Sequence, residues 1–435
     1  MQNKSLKRII RKGLCSGCGT CAGMCPEDCI SIRLDLKRGI YSPEIDEDKC
    51  INCGICCKVC PGYELEFAIL EKKIFNKKSE NELIGNMQNC YIGHSTNYNI
   101  RYNSSSGGMI TQLLIFVLQQ KLIDGIILTK MKQENPLEAY SFIARTEKDI
   151  IEASKSKYCP VPLNSILKEI LESKPEERFA IVGLPCHIQG IRKAEEVNRI
   201  LKEKIVLHIG IVCNHTPTFL ATEFLLRHIK IRISDVVKLD YRGEGWPGAM
   251  KIKTSNGQII NVPQFSPYYW GFAFNSFFYP YRCTLCDDKT GCLSDASFAD
   301  AWINEIIEKD RIGMSVIISR NDKSEAIISK AAENSDIMVE KADDQILIKS
   351  QGLLLVRKRI SARIKLMKLI GFSTPRCDKI LACNSIIDYC DAMTFYINYL
   401  LSKRKLFPFI ELLISLRINI IYILSILKGK RGLLK

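Results

Sequence analysis

Several signals that would place a protein quickly are missing from these 435 residues. No charge-free apolar run reaches the ~20 residues of a membrane-spanning helix, so a clean transmembrane segment is not expected. Residues 1–14 carry Lys4, Lys7, Arg8, Arg11 and Lys12 but lack the apolar run of about 7–15 residues that defines a secretory signal. The same lack argues against Leu14-Cys15 as a lipoprotein anchor. There is no Rossmann fingerprint and no P-loop. The five histidines (His94, His187, His208, His215 and His228) are scattered, form no His-rich metal motif and read as structural residues. Low-complexity tracts and solenoid repeats are also lacking.

What the chain has is cysteine. Of its 20 cysteines, ten fall in the first 60 residues. A secreted disulfide scaffold would be short and cysteine-dense throughout, and this chain is neither. The thiols are therefore expected in a reducing cytoplasm, where clustered cysteine means metal. The length allows about three domains. A hydrophobic fraction of 46% and a charged fraction of 25% exclude wholesale disorder. The net charge of +15 suits an anionic membrane surface or an acidic cofactor. Without a recognisable nucleic-acid module it does not argue for nucleic acid.

One repeat is plain. Cys15-x2-Cys18-x2-Cys21-x3-Cys25-Pro26 recurs as Cys50-x2-Cys53-x2-Cys56-x3-Cys60-Pro61. Three cysteines spaced by two wrap one iron–sulfur cube, and the fourth, before Pro, ligates the other cube. Cys15, Cys18, Cys21 and Cys60 are thus expected on one 4Fe–4S cluster, and Cys50, Cys53, Cys56 and Cys25 on a second. Zinc prefers two separated CxxC pairs. Gly17, Gly19 and Gly54 let backbone N–H groups approach the sulfurs. Residues 10–62 resemble the two-cluster bacterial-type ferredoxins, with Cys29 and Cys57 as bystander thiols.

The remainder divides by character. Residues 63–88 are charged, carry no motif and read as a linker helix. Residues 89–330 alternate β-branched runs (Ile123–Thr129, Phe179–Gly183, Ile205–Val212) with helical patterns such as Met109–Lys121 and Leu163–Leu171. An α/β domain with a partly parallel sheet is expected there, in two parts, 89–172 and 173–330. Residues 331–435 read as a basic helical extension. The fold class is thus multidomain, α+β followed by α/β.

Four dispersed cysteines sit in distinctive contexts: Cys186 and Cys213 after strands, and Cys283 with Cys286 in a CxxC. They could converge where open α/β sheets place ligands, as a cluster, as structural zinc or as separate thiols. Cys292 competes for a place in the set. Cys377, Cys383 and Cys390 match no cluster motif and read as core or interface residues.

Residues 89–320 resemble the coenzyme F-420 (F420) hydrogenase/dehydrogenase beta-subunit family. The resemblance rests on Ser104-Ser105-Ser106-Gly107-Gly108 opening a helix, Leu122-Ile123-Asp124-Gly125, Ser156-Lys157-Tyr158 and Leu184-Pro185-Cys186. It continues through Tyr241-Arg242-Gly243-Glu244-Gly245-Trp246-Pro247-Gly248 and Arg282-Cys283-x2-Cys286-Asp287 to Ala299-Asp300-Ala301-Trp302. Ala299 stands where the family usually has Gly. The resemblance implies an FAD-binding domain with its own 4Fe–4S cluster on Cys186, Cys213, Cys283 and Cys286. Ser105, Ser106, Gly107 and Gly108, before a helix N-terminus, suit the FAD pyrophosphate, although Ser is also a preferred N-cap. Lys157 and Tyr158 offer a cation and an aromatic face, and Arg242 offers a hold on an anionic group. The sequence names no catalytic residue.

With each cluster near −2, three subtract roughly 6 from the net charge. Much of the rest lies at the C-terminus, in Lys403, Arg404, Lys405, Arg417, Lys428, Lys430, Arg431 and Lys435 around the apolar run Leu412–Leu427. That pattern suits a helix docked on the protein, or one lying at the cytoplasmic face of a membrane. The expected function is an iron–sulfur flavoprotein oxidoreductase passing electrons between a two-electron carrier such as F420, at FAD, and the clusters. The expected partners are a redox protein or complex subunits. The alternatives are a ferredoxin-fed FAD reductase of an organic substrate such as a glycan precursor, and a non-catalytic electron-transfer subunit.

Overall fold

The computed structural model describes residues 3–379 and 381–427. Its centre is a mixed sheet of β1 Asn89–Ser95, β2 Gly125–Met131, β3 Ala139–Ala144, β4 Phe179–Gly183, β5 Ile205–Ile211, β6 Ala296–Asp300, β7 Ser315–Ser319 and β8 Ile337–Lys341. The strand order is β8-β1-β7-β6-β5-β4-β2-β3. The central four, β6, β5, β4 and β2, run parallel. Antiparallel strands flank them on both sides. β4 and β7 are buried along their whole length. Strands covered on both faces read as unbroken apolar runs rather than as alternation.

Two helices position the site. α1 (Met109–Gln119) follows the serine–glycine run, and α2 (Pro185–Glu195) follows β4. The expected helix at 163–171 divides into a 3-10 turn, Leu163–Ile166, and a short helix, Leu167–Glu172. The sheet also runs past the expected boundary at 330. The helix Asp322–Glu333 leads to β8, which pairs with β1 from Ile337↔Ser95 and covers an edge that would otherwise be open.

The N-terminal domain is a hairpin, Ile30–Asp35 with Ile40–Ile45, and two one-turn helices, Thr20–Gly23 and Ile55–Lys58, each entered through a left-handed glycine. The segment 63–88 was expected as a linker and is instead bedded in the core. Its helix Phe67–Phe75 buries Phe67 and Leu70 among Leu163, Leu167 and Ile188, while Ile84 packs with Val316 and Ile318.

Three helices follow the sheet: α3 Leu353–Leu369, α4 Ile386–Leu401 and α5 Phe407–Leu427. α5 has two apolar faces. Phe407, Ile410 and Ile414 are buried with Leu220, Phe224, Tyr269 and Phe278. Glu411 pairs with His228 at 2.6 Å, Ser415 bonds the Tyr268 hydroxyl at 2.8 Å, and Arg417 lies over the Phe272 ring. The other face exposes Phe409, Leu412, Leu416, Ile420 and Ile423. By length and composition this segment could cross a membrane, which the expectation from run length did not foresee. A central Arg, here Arg417, opposes that by about 2.5–3.5 kcal/mol. Lys428, Lys430, Arg431 and Lys435 lie outside the described residues.

Candidate metal and cofactor site

None of the twenty cysteines is in a disulfide. Cys15, Cys18, Cys21 and Cys60 lie together in the N-terminal domain. Burial, then the neighbouring Cys60 and Cys18 thiolates, push Cys15 up to about 12. Burial and Cys18 push Cys60 to about 11, and Cys21 is held well above its ordinary value by burial and then by Cys15, Cys18 and Cys60. Buried thiols that repel one another deprotonate together only around a cationic centre. Gly17, at a left-handed φ of 69°, donates its N–H to Cys15 Sγ at 3.4 Å. Cys25, Cys50, Cys53 and Cys56 line a separate cleft, with Cys53 exposed. Among the described residues no three His, Cys, Asp or Glu side chains converge as a single ion requires.

The dispersed cysteines meet at the C-terminal edge of the parallel strands. Cys186 is the second residue of α2, Cys213 lies just past β5, and Cys283 and Cys286 belong to a one-turn helix and its exit. They line one cavity with Gln189, His215 and Arg282, closed from the N-terminal domain by Ser16 and Pro61. Burial, then Cys18, Cys283, Cys213 and Cys286, hold Cys186 far above its usual range. Burial pushes Cys213 to about 12. Cys292 is absent from this cavity: its sulfur faces Thr290 and the Lys379 ammonium, both at 3.4 Å. Cys377 pairs with Leu65 in a two-stranded ladder, while Cys383 and Cys390 are exposed.

The first run is docked on this edge. The Asn164 backbone N–H donates to the Cys18 carbonyl at 2.9 Å, and its side-chain amide donates to Thr20 Oγ1 and the His187 carbonyl, each at 2.8 Å. A Cβ on Gly190 would lie 2.2 Å from Thr20 Oγ1, so only glycine allows α2 this close. His187 accepts the Leu184 N–H on Nδ1 and binds the Val161 carbonyl through Nε2, fixing the Leu-Pro-Cys turn. Burial lowers its pKa to about 4, so the ring is neutral.

The residues expected at a flavin gather on the same edge, with their polar groups largely engaged inside the chain. Ser105 Oγ accepts the Ser156 N–H at 2.8 Å, Ser106 Oγ donates to the Met314 carbonyl at 2.7 Å, and the Gly107 N–H donates to Ser315 Oγ at 3.0 Å. Gly107 is required by the sheet, since its Cβ would lie 2.6 Å from the Gly93 carbonyl oxygen. The first-turn amides of α1, entered through left-handed Gly108, keep no intrahelical acceptor. Lys157 is committed elsewhere: its ammonium donates to the carbonyls of Ala153, Ser154 and Lys155, and burial lowers its pKa to about 7. Arg242 is likewise saturated. It forms a fork with Asp300 at 2.8 and 3.0 Å, donates Nε–H to the Pro247 carbonyl at 2.8 Å, and stacks on Trp302. In this arrangement it ties the 241–248 loop to Asp300.

Two residues that the sequence reading passed over connect the parts. His215, two positions past Cys213, lies against Trp270 at 5.1 Å between ring centroids, and Trp270 against Tyr158 at 4.7 Å. Tyr158 reaches Arg242 at 3.4 Å. Buried Trp270 Nε1 and Gln264 Oε1 have no hydrogen-bond partner among the described residues. One of only three tryptophans, Trp270 was the available signal.

Comparison with known proteins agrees with this geometry. Residues 90–168 match the family described as coenzyme F420 hydrogenase/dehydrogenase, beta subunit N-term, residues 176–345 match its C terminus, and residues 14–62 match a 4Fe–4S dicluster domain. Coenzyme F420 hydrogenase subunit beta of Methanococcus voltae is 26% identical over 279 residues, 63% of this chain and 90% of the relative. Coenzyme F420-dependent sulfite reductase of Methanocaldococcus jannaschii is 25% identical over 347 residues, 75% of this chain and 47% of that protein. A chain in the structure of the F420-reducing [NiFe] hydrogenase complex from Methanosarcina barkeri shares the fold, with a TM-score of 0.54 at 21% identity over 68% of this chain and 98% of that one. Two strand ends, a docked dicluster domain and these matches lead to one statement: the chain belongs to the coenzyme F420 hydrogenase/dehydrogenase beta-subunit family of oxidoreductases and carries a 4Fe–4S dicluster domain before the family's own region.

Proposed function

We propose that this protein passes electrons between a two-electron carrier, a deazaflavin of the F420 type, met at FAD on the sheet edge, and three 4Fe–4S clusters. The observation that carries the reading is the place of the third cysteine set. Ser16 and Pro61 of the dicluster domain close it on one side, and the chain His215–Trp270–Tyr158–Arg242 leads from it on the other. FAD, when bound, exchanges electrons in pairs or singly, whereas a cluster exchanges one at a time. The residues' part is placement. The α1 amides suit a phosphate, the Arg242–Asp300 fork fixes the glycine-rich loop, and buried aromatics exclude water. Cluster potentials span about −700 to +450 mV, so the direction of flow follows the partner. Anaerobic purification should yield one flavin and about twelve irons per chain. Reduced F420 should then bleach an added dye, and protein that holds flavin but leaves F420 untouched would refute the F420 part alone.

The exposed stripe on α5 favours a second reading, in which reduced clusters feed FAD and an organic substrate is reduced at the cytoplasmic face of a membrane. Phe409, Leu412, Leu416, Ile420 and Ile423 would enter the headgroup region. The neighbouring basic residues would add about 1 kcal/mol each near anionic lipid. Co-sedimentation with phosphatidylserine vesicles at low salt, lost at high salt, supports this. Indifference to the vesicles removes it.

A further inference from the structure

The outer cluster position holds one thiol too many. After Cys25 the chain turns through Pro26, Glu27 and Asp28, with Asp28 at a left-handed φ of 49°. The turn returns Cys29 to the foot of the hairpin strand Ile30–Asp35, with its Sγ 3.3 Å from Cys25 Sγ. Cys29 is buried, faces Cys50 as well, and lines the same cleft as Cys25, Cys50, Cys53 and Cys56. Its backbone is pinned on both sides. The Asp46 N–H donates to the Cys29 carbonyl at 2.8 Å, and Ile30 pairs with Ile45.

Ligand sulfurs on different irons of one cube stand well apart, because each leaves its own corner outward. Two sulfurs at 3.3 Å therefore address one corner. With Cys25 bound as thiolate, only Cys29 carries a proton, so the hydrogen bond runs from the Cys29 S–H to Cys25 Sγ. We infer that Cys29 is part of the outer cluster site, donating a hydrogen bond to the Cys25 ligand and standing as the replacement ligand for that corner. The bond withdraws negative charge from the ligand sulfur, which makes the cluster easier to reduce. Without Cys25, the Cys29 thiol releases its proton to solvent and one iron–sulfur bond forms in place of the lost one, with no electron moved.

The inference rests on the reading that the outer cluster forms, which the iron content of the unmutated protein tests separately. Given that cluster, Cys25→Ala protein reconstituted anaerobically keeps its full iron, and Cys25→Ala/Cys29→Ala protein loses about four irons per chain. Equal losses in the two variants overturn the replacement role. The spectrum of the cluster on Cys15, Cys18, Cys21 and Cys60, present in both, shows that the domain is folded. Cys29→Ala alone leaves all four original ligands intact, so it reads the hydrogen bond even where Cys25 variants fold poorly. It keeps full iron, and its outer cluster titrates at a more negative potential. An unchanged midpoint overturns the hydrogen bond.

Discussion

The N-terminal domain takes its eight thiols from one stretch of chain, Cys15 to Cys60, whereas the α/β domain draws four from the ends of β4 and β5 and from a turn as far on as Cys286. In the first region the ligands are set by local loop closure, and two one-turn helices behind left-handed glycines suffice. In the second they exist as a set only once parallel strands lie side by side with their C-terminal ends together. One is a site that makes its fold; the other is a fold that makes its site. The two should therefore fail independently.

The largest effect expected is the loss of the third cluster alone. Cys283→Ala/Cys286→Ala protein should hold about eight irons instead of twelve, while Cys292→Ala should change nothing. Iron analysis with EPR of the reduced protein checks both.

Next in size is the support of the sheet edge. Arg242→Met removes the buried guanidinium from half-buried Asp300 and from the Pro247 carbonyl, a loss of about 1–3 kcal/mol. The melting temperature should fall and extracted flavin should drop, with the ferredoxin iron retained. Arg242→Met/Asp300→Asn should recover part of the stability, because no charge is then left alone.

A smaller effect probes the contact between the regions. In Gly190→Ala the new Cβ meets Thr20 Oγ1, and overpacking of this kind costs about 1–3 kcal/mol. The melting temperature should fall, and electron transfer from dithionite-reduced ferredoxin clusters to the flavin should slow in rapid mixing. Normal transfer would place the contact outside the route.

The smallest effect is in acid and belongs to the α/β domain alone. Glu195 and Asp295 flank His208 at 2.6 and 3.3 Å and pair with Arg192. His208 and Arg192 hold both carboxyls below the carboxylate range, against the cost of burial. A depressed folded pKa contributes stability that is complete above the unfolded value near 4 and lost as pH falls through the folded one. Stability should decline from about pH 5 downward, by at most about 1.4 kcal/mol per pH unit for each carboxylate. Asp295→Asn should flatten that slope in melts between pH 6 and 4.

Much of this was legible beforehand. The 2-2-3-Pro spacing defines two cubes because it is a local geometry, and β4 announces itself as a buried strand through an unbroken apolar run. Legibility fell where a residue's meaning depends on what lies across the fold. The segment 63–88 looks like a linker until Phe67 and Leu70 find Leu163 and Ile188. Lys157 and Arg242 look like free cations until their donors meet backbone carbonyls and Asp300. α5 looks uniformly apolar, and only packing separates its buried face from its exposed one.

By itself, then, the sequence determined the kind of cofactor in the N-terminal domain, through eight thiols at fixed spacing and glycines where the backbone must turn left. Tertiary structure decided which side chains meet. It set Cys18 beside Cys186, turned Cys292 toward Lys379, brought Cys29 against Cys25, and ran His215, Trp270 and Tyr158 from the third site to the glycine-rich loop. The reason is physical. Ligand spacing is written into a few bonds of local chain. Which sulfur faces which depends on strand order and on close approaches such as Gly190 on Thr20, and those exist only in the folded molecule.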